Sequence, residues 1–79
     1  MSKASIYFTL DNVDGKHDVK EIKRELDTLP GVISVSVNDK AETVAVDFDT
    51  TGVSSTRIEK KLKTLGFNVL DSHFENHIM

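Results

Sequence analysis

Two periodicities alternate along this chain in a fixed order, and that order leaves few folds open. Ile6, Phe8 and Leu10 alternate with Tyr7 and Thr9, the period of two that marks a strand buried on one side. Val19, Ile22, Leu26 and Leu29 then recur at spacings of three and four, which puts one apolar stripe on a helix. The turn residues Asp11 to Gly15 separate the two. Asp14 and Asp18 both suit the helix start: Asp14 stands just before Gly15, and Asp18 has Glu21 three positions on, the order of a capping box. Asp14 is the preferred cap, with Asp18 favoured in the first turn by the helix dipole. Leu29-Pro30-Gly31-Val32 closes the helix, because proline cannot continue it and glycine accepts a left-handed turn.

Ile33, Val35 and Val37 alternate with Ser34 and Ser36, and after the turn residues Asn38-Asp39-Lys40 the alternation resumes at Val44, Val46 and Phe48, so a β-hairpin follows. Ser54 caps a second helix, with Val53 and Ile58 at the two positions of a hydrophobic staple and Ile58, Leu62 and Leu65 as its buried stripe. Gly66 fits the position past its end, and Phe67 to Leu70 reads as a short fourth strand. The order β-α-β-β-α-β, built as two similar halves, predicts an α+β fold, the ferredoxin-like sandwich. Its four-stranded antiparallel sheet has the spatial order 4-1-3-2 and carries both helices on one face. The expected core is Ile6, Phe8, Ile22, Leu26, Val35, Val37, Val44, Val46, Ile58 and Leu62. The other sheet face, with Tyr7, Thr9, Ser34, Ser36, Thr43, Ala45 and Asp47, is polar enough to need no second cover.

At 79 residues the chain makes a single domain, 1–79, with a core over about 5–70 and a loose tail over 71–79. So short a chain cannot wall off a large active-site cavity. No apolar run exceeds three residues, which excludes a membrane-spanning helix and a signal-peptide core, and the expected location is the cytoplasm. A net charge of -3 argues against nucleic acid as a partner. An RNA-stacking face would have only Tyr7, with Asp47 repelling phosphate. The absence of cysteine removes disulfides, thiolate nucleophiles and every cysteine-based metal site. No nucleophile-base constellation, phosphate-binding glycine loop or arginine after the first strand is present, so no enzymatic activity is expected.

Ile22 and Leu26, the run Leu29 to Asn38, the run Thr43 to Asp49, and Ile58, Leu62, Gly66 and Phe67 stand in an order and spacing that carry a family resemblance. Over roughly residues 5–70 the chain resembles the heavy-metal-associated domain of copper chaperones and of the cytosolic tails of copper-transporting ATPases. In that family the loop before the first helix reads Gly-Met-Thr-Cys-x-x-Cys. Counting back from Ile22 puts the second cysteine at Asp18 and the first at Gly15, so both thiolate ligands are missing. Asn12 stands for the glycine, Val13 for the buried methionine and Asp14 for the capping threonine. Cu(I) is soft, and neither a glycine nor a carboxylate replaces a thiolate; Met1 and Met79, at the chain ends, offer no substitute.

The donors that remain are His17 and Asp18, with Asp14 and the nearby Asp11, a nitrogen and oxygen set suited to a borderline divalent ion such as Zn2+, Ni2+ or Co2+. Adjacent helical residues point about 100° apart, so a shared ion requires the loop to adapt; the plainer reading is a capped helix start with a solvated histidine. In the tail, His73 and His77 are four apart, as are Phe74 and Ile78, and Ser72 and Glu75 stand in capping-box order. One helical turn there would bring two imidazoles to one ion, and this pair is expected to bind before the loop pair. Lys16, Lys20, Lys23 and Arg24 lie on the outer side of the first helix. The resemblance implies docking through a charged helix surface beside the loop, so Lys16, Lys20, Lys23 and Phe67 are the candidate contacts for a protein partner with an acidic surface. The combined reading is a non-catalytic interaction or regulatory module related to metal homeostasis whose cysteine site is lost. Two alternatives stay open: a metal carrier or sensor using His and Asp donors, and a small-molecule regulatory domain of the same topology.

Overall fold

The computed structural model describes residues 3–11, 13 and 15–77. Its elements follow the expected order: β1 (Lys3–Leu10), α1 (Gly15–Asp27), β2 (Val32–Asn38), β3 (Thr43–Asp49), α2 (Ser55–Thr64) and β4 (Val69–His77). The strands form one antiparallel sheet in the order β2-β3-β1-β4, as the periodicities predict. Alternation along β1 and β3 buries Ile6, Phe8 and Leu10 with Val44, Val46 and Phe48, and these meet Ile22 and Leu26 of α1 and Ile58 and Leu62 of α2 in one core. Val35 and Val37, expected in that core, are only half-buried, because β2 is an edge strand with a neighbour on one side.

The second helix is built as its sequence directs. Ser54 adopts an extended conformation and its hydroxyl accepts the Arg57 N–H at 3.2 Å, while Val53 and Ile58 are both buried as a staple. At the other end the Gly66 N–H donates to Lys63 O and the Phe67 N–H to Leu62 O, the paired bonds that close a helix over a left-handed residue. The turn after α1 is tied to the turn after β3. Asp49 N–H donates to Gly31 O at 2.7 Å, and a Cβ on Gly31, whose φ is +98°, would stand 2.8 Å from the carbonyl carbon of Gly52.

Residues 71–77 are not a loose tail. They continue β4, which pairs with β1 from Lys3↔His77 to Thr9↔Asp71 before a register shift leaves Leu70 without a partner residue. Nor is there a helical turn at Ser72 to Glu75. A spacing of four is a multiple of two as well as close to a helical turn, so Phe74 keeps to one face of a strand, and its ring lies 6.1 Å from that of Phe48. The physical reason for the strand is β1, whose outer row of N–H and C=O groups would otherwise be unpaired along its length. On the open face Asp47 accepts the Ser5 hydroxyl on one carboxylate oxygen and the Ser34 hydroxyl, at 3.0 Å, on the other, which links β1 and β2 across β3. Among the described residues no helix is long and apolar enough to cross a membrane.

Candidate functional site

The loop between β1 and α1 is fastened from both sides. Leu10 N–H donates to Glu42 O at 2.8 Å, Asp11 N–H donates to Asn68 O at 3.0 Å, and Val13 N–H reaches the Glu42 carboxylate at 3.4 Å. Glu42 holds this position with a φ of +55°, outside the range that most side chains accept, in the turn before β3. Sequence reasoning passes over it, because nothing in the sequence marks a turn glutamate as the anchor of a loop 29 residues earlier. Val13 packs against the core. Asn12 and Asp14, the latter expected as the helix cap, lie outside the described residues.

α1 begins at Gly15, whose φ is +73° with nothing within 4 Å of a Cβ built on it. Gly15 and Asp18 are the two positions matched to thiolates. A hydrogen in place of a side chain offers no donor, and a carboxylate is a hard oxygen ligand, so these residues do not fit Cu(I). With no cysteine in the chain, no neighbouring thiolate makes up the loss.

A different set of donors does converge. His17, Asp18 and Glu21 each present a ligand atom, and these atoms lie within 4.8 Å of one another. His17 Nε2 stands 3.8 Å from Glu21 Oε2, with the imidazole almost fully exposed. His17 and Asp18 converge although adjacent helical residues point about 100° apart. Glu21, four positions from His17 and three from Asp18, lies on the same side of the helix and adds a third donor. That arithmetic was available in the sequence and identifies the residue which the loop-based reading omits. One imidazole and two carboxylates suit a borderline or hard divalent ion.

The tail histidines are not brought together by a helical turn. His73 and His77 lie on β4, where four residues span about 13 Å of strand, and not one turn of a helix. The His73 ring instead stacks on Tyr7 with centroids 6.1 Å apart, and its Nε2 is 3.4 Å from Glu75 Oε1. Lys16, Lys20 and Lys23 are all exposed on α1, at the spacing of one helical stripe, and among the described residues none of the three is in an ion pair. Arg24 and Lys61 both approach Glu25 at 3.5 Å. Phe67, expected as a contact for a partner, is 7% exposed and belongs to the core, because the bonds that close α2 turn it inward. The crevice that a small-molecule regulator needs has as its counterpart a wide, open groove of about 600 Å³ beside α2, bordered by Leu29, Arg57, Lys60 and Lys61.

Comparison with known proteins places the fold. No curated protein sequence matches the chain. Among solved structures, the water-soluble region of the P-type ATPase CopA from Bacillus subtilis superposes with a TM-score of 0.82 at 27% identity, over 89% of this chain and 47% of that one. The CopZ metallochaperone gives 0.80 at 20% identity, covering 84% and 98%. Oxidized MerP from Ralstonia metallidurans CH34 gives 0.78 at 17% identity, covering 87% and 99%. The family pattern of the heavy-metal-associated domain matches residues 8–68, more than half of the sequence, and the chain therefore belongs to the heavy-metal-associated domain family.

Proposed function

We propose that this protein is a non-catalytic interaction module of metal homeostasis, working in the cytoplasm, in which the scaffold of a heavy-metal-associated domain is kept and its soft-metal site is not. The observation that carries this reading is the pair Gly15 and Asp18, a left-handed glycine and a carboxylate where two thiolates are needed, on an otherwise intact framework. What the framework presents beside that loop is the exposed lysine stripe Lys16, Lys20 and Lys23, which fits an acidic protein surface. Titration of the labelled protein with a polyglutamate peptide tests the docking face. Amide shifts are expected over residues 16–24, weakening with salt and lost in the Lys16→Glu, Lys20→Glu, Lys23→Glu triple variant. Equal shifts in that variant would remove α1 as the docking face.

A second reading rests on the convergence of His17, Asp18 and Glu21 within 4.8 Å: a modest site for Zn2+, Ni2+ or Co2+ at the start of α1. Calorimetry with Zn2+ separates it from the tail. Heat of binding is expected to vanish in His17→Ala and to persist in the His73→Ala, His77→Ala variant, the reverse of the order expected from sequence spacing. Binding retained by His17→Ala would dismiss this reading.

A further inference from the structure

β4 is an edge strand. One side pairs with β1, and along the other no strand among the described residues meets its backbone N–H and C=O groups. Beyond the irregularity at Thr9/Leu10 its pairing runs unbroken from Asp71 to His77, a stretch centred on Phe74. The opposite edge, β2, is broken by a register shift between Val32 and Ser34, which bends a strand away from flat pairing.

We propose that β4 is the interface between two copies of this chain, paired antiparallel about a two-fold axis at Phe74 into one continuous sheet. The order of side chains along the strand selects both the partner and the register. An axis at Phe74 sets His73 of each copy opposite Glu75 of the other, so an imidazole meets a carboxylate on both sides of the axis. Moving the axis to His73 opposes Asp71 to Glu75, and moving it to Glu75 opposes that carboxylate to itself; like charges directly opposite are destabilising. On the helix face the axis brings together the two Phe74 rings, each 47% exposed in the single chain and each backed by Phe48. His73 and Glu75 are already held, the former by the Tyr7 ring and each by the other at 3.4 Å, so little side-chain freedom is lost on pairing.

Sedimentation velocity on the full chain, from micromolar to millimolar concentration, reads the self-association directly. The mass is expected to climb towards that of two chains, and the amide shifts that accompany it are expected to fall on residues 71–77. His73→Glu, at a side chain 70% exposed, leaves the fold intact and opposes carboxylates on both sides of the axis, so association should weaken about tenfold. Adding Glu75→Lys restores opposite charges and should restore association. A mass that stays at one chain throughout, shifts confined to α1 or β2, or association indifferent to the charge reversal would each overturn the proposal.

Discussion

Gly31 and Gly15 both hold a positive φ, yet their surroundings make them unequal. At Gly31 a methyl group would meet backbone atoms of Gly52 and Val53 at 2.8 and 2.9 Å, in addition to the cost of a left-handed conformation. Gly31→Ala is therefore expected to lose about 3 kcal/mol, a large share of the stability of a domain this small, as a denaturant melt will show. Gly15→Ala meets open space and should lose only about 1 kcal/mol. The same backbone bears on the loop before α1. Gly15→Cys with Asp18→Cys supplies thiolates at the price of that strain, so the variant should be less stable without metal, yet keep Cu(I) against a chelator that strips the wild type. Asp49 offers a titration of its own. The Thr51 hydroxyl, then the Thr51 N–H, donate to its carboxylate at 2.7 and 3.0 Å and hold its pKa below the ordinary 3.8. A lowered folded value means that the charged form is the stabilised one, so this contribution is present above pH 3.8 and fades as pH falls through the folded value. Thr51→Val should raise the Asp49 pKa towards 3.8 in an NMR titration, and its stability difference from wild type should shrink in acid.

At the scale of elements, β4 carries the sharpest test. Truncation after Leu70 removes every β1–β4 pair from Lys3↔His77 to Thr9↔Asp71 and is expected to abolish cooperative thermal unfolding, whereas loss of a loose tail would leave the melt unchanged. Ser54→Ala, by contrast, removes one cap bond and should cost about 1 kcal/mol. The other elements, both ends of α2 and the strand order were legible in the sequence because each is written locally, in a periodicity or a capping residue. β4 was legible only at its start, since Asp71, Ser72, Glu75 and Asn76 disguise the rest of the strand and its warrant is the distant β1. The site was legible in the same uneven way. The empty thiolate positions follow from counting, and His17 and Asp18 are found by type. Glu21 needed the helical neighbours to be worked out, and the inward turn of Phe67 depends on how α2 ends.

Over the whole molecule, the sheet and its two helices form a frame in which the loop before α1 can change chemistry without disturbing the core, since Glu42 and Asn68 hold its backbone from the far turns. The pairing of Lys3 with His77 has a mechanical consequence. The two ends of the described chain lie side by side on neighbouring antiparallel strands, whose hydrogen bonds run across the strands. Tension applied between those ends loads the bonds one after another, like a zipper drawn from its open end, and does not shear the ladder as a whole. The domain should therefore yield to a small pulling force, β4 peeling away first, while the same force applied along β1 and β3 leaves the centre of the sheet closed.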